Sequence, residues 1–304
     1  MAAQMHPIVE VSPRDGLQNQ PRPVDTRAKL ELIDRLIAAG VRRIEATSFV
    51  NPKRVPQMAD ADAVMAGVPR DAGVRYAALA ANVRGAERAV AAGADELNVV
   101  VLATDTFGER NQGAHREQML ETYAQAAAIA RADGLAVTLT VGASFGCPFE
   151  GEVSVQTVRS LVEDALALAP APDELCLADT IGVGVPAQVL ELAAAVRPLL
   201  GDSALRFHFH NTRNTGYANA VAALATGPVV LDASAGGIGG CPFAPRATGN
   251  IATEDLVYLL DRSGVPTGLD RAALASVAEW MRDELELPVT GQLAAAGDFP
   301  AVAV

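Results

Sequence analysis

Two histidines separated by a single residue stand in FHFHN, residues 207–211. The stretch reads as a β-strand, and residues two apart on a strand share a face. His208 and His210 therefore look one way and Phe209 the other, toward a layer of helices. The imidazoles rise about 6.6 Å apart along the chain, and their ring tips can lean onto one ion with bonds of about 2.1 Å. The competing reading is a pair of core histidines bonded to neighbours. A buried polar ring without a partner costs on the order of 1–3 kcal/mol, so either way something must receive them. Two further donors stand out: Asp15 in SPRDG, and Asn250 just before IATEDLVYLL. Asp also suits a turn, and Asn also suits a helix N-cap. Imidazoles with carboxylate and amide oxygens make a hard, thiolate-free donor set, which favours Mg2+ or Mn2+.

Other residue types nearby in the pattern could act on a substrate. Arg14 precedes Asp15; its fork of N–H donors suits a carbonyl oxygen that gains negative charge. The segment GGIGGCPFAPRATGN (236–250) is a glycine-rich loop with Cys241 at its tip. A thiol beside a cation and an arginine has a lowered pKa and can exchange protons near neutrality; the plainer reading is an incidental cysteine in a mobile loop. Cys147, in SFGCPFEG, has a similar setting and reads as a neighbour of the substrate, whereas Cys176 lies in a strand run and reads as packing. Arg22, Lys53 and Arg54 follow the first two strand runs and could bind a phosphate or form a solvated basic patch.

These residues need a scaffold that gathers them. Short apolar, β-branched runs occupy 8–11, 43–47, 74–79, 96–102, 136–141, 174–179, 205–210 and 229–234, with Ala/Leu-rich helical patterns between them. In the first helix Leu30, Ile33, Leu36 and Ile37 mark one face. Such alternation predicts a (β/α)8 TIM barrel, a single-domain α/β fold; a doubly wound open sheet is the alternative and lacks its glycine-rich phosphate turn. Chemistry in a barrel sits at the C-terminal strand ends. Arg14, Asp15, Glu45, Ser48, Thr140, Asp179, His208, His210, Cys241 and Asn250 all fall at or just after such ends. The barrel is expected over residues 7–285, after an N-terminal tail (1–6) and before a flexible C-terminal tail (286–304).

Composition narrows the partners. The chain has 304 residues and a formal net charge of −12, which argues against nucleic acid and anionic membrane. Three cysteines without a CxxC pair argue against a disulfide framework and point to the cytoplasm. The N-terminus shows no secretory pattern, and no run is long and apolar enough for a membrane span.

VSPRDGLQNQ, IEATSFVNPKRVPQM, GCPFEG, ADTIGVGVP, HFHN and GGIGGCPFAPRATGNIATEDLVYLL, taken in order, resemble the 3-hydroxy-3-methylglutaryl-coenzyme A lyase family. The resemblance covers about residues 7–285. It implies a barrel, a homo-oligomer (dimer or tetramer), a Mg2+ or Mn2+ cofactor, and coenzyme A as part of the substrate. It matches Asp15, His208, His210 and Asn250 to the metal ligands, Arg14 to the arginine that steadies an enolate oxygen, and Cys241 to the loop cysteine that handles a proton. Glu45 and Asp179 match acidic residues of the active site, with His208 or Asp179 as the base. Gln18, Arg22, Ser48, Lys53, Thr140, Cys147 and Asn211 fall near the substrate. The pattern departs from the family at Arg54, Thr140, Asn211, Arg213 and Pro21, positions that bear on the acyl group. The implied reaction is retro-Claisen cleavage of 3-hydroxy-3-methylglutaryl-CoA to acetyl-CoA and acetoacetate. A citramalyl-CoA or isohexenyl-glutaryl-CoA lyase is the near alternative. The family's condensing acyltransferases, a further alternative, usually carry a Glu where this chain has Cys241, and the complete ligand set argues against a non-catalytic binding barrel.

Overall fold

The computed structural model describes residues 8–240 and 248–299. Every expected strand forms, within one residue of its expected ends. They are β1 (Ile8–Glu10), β2 (Arg43–Ser48), β3 (Arg75–Ala80), β4 (Glu96–Leu102), β5 (Ala136–Gly142), β6 (Glu174–Asp179), β7 (Ala204–Phe209) and β8 (Val230–Ala233). All neighbours pair in parallel, and β1 pairs with both β2 and β8, which closes the ring and excludes an open doubly wound sheet. The fold is a single-domain (β/α)8 barrel.

Helices α1 (Thr26–Ala38), α2 (Ala61–Gly67), α3 (Val83–Ala91), α4 (Asp105–Gln112), α5 (Arg116–Ala132), α6 (Val155–Leu168), α7 (Pro186–Val196), α8 (Gly216–Ala225), α9 (Thr253–Arg262), α10 (Arg271–Asp283) and the short α11 (Leu293–Ala296) cover the ring. Local chemistry sets their ends. The Asp25 carboxylate accepts from Ala28 N at 2.8 Å and starts α1. Its buried face is Leu32, Ile33 and Leu36, and Gly40 at φ 97° follows its end. Among the described residues, no helix is long and apolar enough to cross a membrane.

Strand alternation sorts the side chains. Leu205, Phe207 and Phe209 face the helices, with the two phenyl rings stacked 5.4 Å apart. Arg206, His208 and His210 face the barrel interior, as the spacing predicts. That interior is charged at its lower end. Arg43 donates to Glu174 at 2.6 Å and to Glu96 at 2.5 Å, and Arg206 donates to Asp232 at 2.5 Å. A closed ring of parallel strands thus carries an ionic floor, and the space above it stays open.

Among the described residues beyond Asp283, Leu287 and Leu293 are buried, and Thr290 N and Gly291 N both donate to Gly236 O, at 2.8 and 3.2 Å. Gln292 N and Leu293 N also donate to the Asp255 carboxylate. The segment is poor in charge because it packs against α9 and the start of the glycine loop.

Candidate active site

After β1 the chain makes a single π-helical turn over Ser12–Gly16, all of it buried. The turn sends Arg14 and Asp15 across the barrel mouth. Arg14 Nη1 donates to Asp15 Oδ1 at 2.5 Å and its Nε donates to Glu45 Oε2 at 2.6 Å. Glu45 Oε1 accepts from Asn98 Nδ2 at 2.8 Å, and Asn98 Oδ1 accepts from the Thr140 hydroxyl at 2.7 Å. One hydrogen-bonded chain therefore links β1, β2, β4 and β5 around the interior. Burial opposes the charge on Arg14, and Glu45 and Asp15 more than offset that, so its pKa lies above the ordinary arginine value.

Asp15 meets the histidines from the other side. Its Oδ2 lies 3.8 Å from His208 Nε2, 3.7 Å from His210 Nε2 and 2.8 Å from Asn250 Nδ2. Burial works against its charge, but Arg14, then His210 and His208, hold the carboxyl well below the usual range. Asp232 on β8 faces His208 Nδ1 at 3.1 Å. Burial lowers the basicity of His208, and Asp232 and Asp15 outweigh it, so its pKa is raised.

Asp15, His208 and His210 offer ligand atoms that all lie within 4.8 Å of one another. Two observations test whether the residues fit a cation. Asn250 Oδ1 is buried and has no hydrogen-bond partner among the described residues, and Asn250 is not a helix cap: Ala252 holds that place for α9, and Asn250 instead bridges to His210. The donors are carboxylate, imidazole and amide, a set that suits Mg2+ or Mn2+. The residues fit.

A cavity of about 890 Å³ opens over this cluster. Its floor includes Cys176 and Thr140, and its outer part reaches Arg54 and Arg110. Gln18 lines it and accepts from the Ser48 hydroxyl at 3.3 Å. Ser48 owes its place to a bulge in β2 between Glu45 and Thr47, which shifts the pairing so that Ser48 is level with cavity-lining Leu79. Thr47 turns to Met58 instead.

Several expected site residues lie elsewhere. Asp179 alternates with Ala178, which lines the cavity, and both Asp179 oxygens accept backbone amides, from Val183 at 2.9 Å and Gly184 at 2.8 Å. Burial raises its pKa. Its geometry is that of a residue holding the loop after β6. Cys147 Sγ accepts from Thr104 Oγ1 at 3.0 Å and from Phe149 N at 3.4 Å, and Asn211 Oδ1 accepts from Gly216 N at 3.2 Å. Both shape loops and neither lines the cavity. Arg22 and Lys53 are exposed and also outside it, whereas Arg54 lines it. Cys241 lies outside the described residues. Conversely, Asp232 and Asn98 were not singled out from the sequence. Their signal was a polar residue inside an apolar strand run, in VVLDAS and ELNVVVL.

Residues 6–281 match the family model described as HMGL-like. The chain belongs to the HMGL-like family. It is 44% identical over 300 residues to the (R)-citramalyl-CoA lyase of Chloroflexus aurantiacus, covering 95% of this chain and 94% of that one. It is 41% identical to the mitochondrial hydroxymethylglutaryl-CoA lyase of Gallus gallus, covering 91% and 93%. Among solved structures, an HMG-CoA lyase from Acinetobacter baumannii in complex with coenzyme A and 3-methylmalate superposes with a TM-score of 0.93 at 40% identity, covering 99% of this chain and 97% of that one. This member of the HMGL-like family is an acyl-CoA lyase that breaks a carbon–carbon bond.

Proposed function

We propose that the chain cleaves 3-hydroxy-3-methylglutaryl-CoA to acetyl-CoA and acetoacetate. The observation that carries this reading is the Asp15–His208–His210 cluster with Arg14 bound to Asp15 at the mouth of one large cavity. Asp15, His208, His210 and Asn250 would hold a Mg2+ or Mn2+ ion. The ion supplies Lewis-acid polarisation of the substrate's tertiary hydroxyl. Arg14, kept charged and fixed by Glu45 and Asp15, presents N–H donors to the thioester oxygen. The hydroxyl passes its proton to water in the open cavity and its O–H electron pair becomes the carbonyl of the keto acid; as the C2–C3 bond breaks, that bond's electron pair moves onto the thioester and an enolate forms, stabilised where a preorganised donor is already aimed. Cys241 then protonates the enolate carbon. It follows Gly240 directly in the chain, and Gly240 lines the cavity. Arg54 and Arg110, at the outer part of the cavity, suit the phosphates of coenzyme A. A cytoplasmic setting agrees with the unpaired thiols of Cys147 and Cys176.

A second acyl group is favoured by one observation, the 44% identity to an (R)-citramalyl-CoA lyase. Citramalyl-CoA would yield pyruvate in place of acetoacetate by the same bond cleavage. The deciding assay offers each thioester with Mg2+ or Mn2+ and follows acetyl-CoA release. Acetoacetate formed with the higher kcat/KM supports the first reading. Preference for citramalyl-CoA transfers the assignment to the second, and no cleavage of either thioester rejects both.

A further inference from the structure

The proposed cation site leaves a fully buried arginine unexplained. Arg206 lies two residues before His208 on β7, inside the barrel. Its Nε donates to Asp232 Oδ1 at 2.5 Å, and Asp232 Oδ2 is the atom that faces His208 Nδ1 at 3.1 Å. From below, Glu174 lies 3.6 Å from Arg206 and is itself gripped by Arg43 through both oxygens. Strands β2, β6, β7 and β8 thus all take part in fixing one guanidinium.

We propose that Arg206 is a positioning residue for the cation site, acting through Asp232 to set the tautomer of His208. The Asp232 carboxylate has no proton to give, so the neutral imidazole must donate from Nδ1. Its Nε2 lone pair is then bare, on the side that faces Asp15. Arg206 adds a second constraint: because it donates to Oδ1, that oxygen must remain an acceptor, and only the other atom of the Asp232 head group is left for His208. His210 shows the contrast. Its Nδ1 is buried with no hydrogen-bond partner among the described residues, so no such device sets its tautomer.

The arrangement makes an unusual demand on substitutions. In Asp232→Asn the carbonyl must stay on the Arg206 side, so the amide nitrogen faces His208 Nδ1. The imidazole proton then moves to Nε2, the atom a cation needs. Mn2+ affinity should fall about 10- to 100-fold. Adding Arg206→Met frees the amide to turn its carbonyl toward His208, so the double variant should bind Mn2+ more tightly than Asp232→Asn alone. Arg206→Lys keeps a donor beside Oδ1 and should give no such rescue. A purely structural role for Arg206 predicts the opposite order, with the double variant worst.

The inference rests on reading this rim as a cation site, and two measurements separate the claims. Mn2+ titration followed by electron paramagnetic resonance gives the affinities. Nitrogen-15 NMR of histidine-labelled, metal-free protein at alkaline pH gives the His208 tautomer without any ion. The expected result is an Nδ1 proton in the parent chain and an Nε2 proton in Asp232→Asn. An Asp232→Asn protein that keeps the Nδ1 proton overturns the inference, as does a folded double variant no tighter than the single one. Should the double variant not fold, the tautomer in Asp232→Asn decides. Failure of the parent chain to bind Mn2+ would sink the cation site and leave the tautomer test standing.

Discussion

Gly16 and Ile238 are in such close approach that a Cβ on the glycine would sit 2.8 Å from the isoleucine side chain, and equally near Ser234 Oγ. The turn bearing Asp15 and the start of the glycine loop are therefore packed backbone against side chain. Gly16→Ala forces them apart. A loss of about 1–3 kcal/mol in stability is expected from overpacking of this kind, together with weaker Mn2+ binding as Asp15 shifts. Thermal unfolding and a Mn2+ titration check it, and unchanged values in both would show that the two loops yield without cost.

Arg14 is fixed by Glu45 at 2.6 Å and Asp15 at 2.5 Å. Arg14→Met removes the donor proposed to face the developing enolate and leaves the cluster of Asp15, His208 and His210 in place. Turnover should fall by about a hundred- to a thousand-fold, with Mn2+ affinity within a few-fold of the parent. A variant that loses metal and turnover together would assign Arg14 to the cation site instead.

Cys241 carries the proposed proton transfer to carbon. Cys241→Ser keeps a similar shape and is a far weaker acid. A drop in kcat of several orders of magnitude is expected, while KM and Mn2+ affinity change little, the pattern of an interaction made only in the transition state. Near-normal kcat would exclude the role.

Asp179 separates a loop anchor from a base. Asp179→Asn keeps one acceptor for Val183 N or Gly184 N and turns a donor on the other. The expected cost is about 1–3 kcal/mol of stability, with the shape of the kcat pH profile unchanged. Disappearance of the profile's acidic limb would mean that Asp179 takes the substrate proton after all.

Glu254 stands under the glycine loop, where its Oε2 accepts from Gly236 N at 3.0 Å. Burial pushes its pKa from 4.5 up to about 8. A folded-state value above the unfolded one means that the fold binds the proton more tightly. The stability this contributes is complete below about pH 4.5 and is lost as pH rises through about 8. Glu10, also raised by burial, acts in the same sense. Glu254→Gln keeps the acceptor for Gly236 and removes the titration. The melting temperature of the variant should therefore decline less with pH across this window. An equal slope in both proteins would show that Glu254 is ionised in the fold.

What could be read from the chain alone was whatever depends on local spacing. Strand runs alternating with amphipathic helices define a barrel, and strand ends define its active rim. The pairing of His208 with His210 on one face needs only a period of two, which any undistorted strand obeys. Arg14, Asp15 and Thr140 could be placed in the same way, and the structure brings them to the cavity, with Glu45 holding Arg14 from behind.

Tertiary structure decided the rest, because side-chain direction at a strand end depends on register and on neighbours far away in sequence. A bulge after Glu45 puts Ser48 inside and turns Thr47 out. Asp179, one residue past an inward Ala178, turns to the helix side, where loop amides claim it. Asp232 lies 24 residues from His208 and reaches it only because β7 and β8 are neighbours. Spacing along one segment sets which residues share a face, while closure of the ring sets what that face meets.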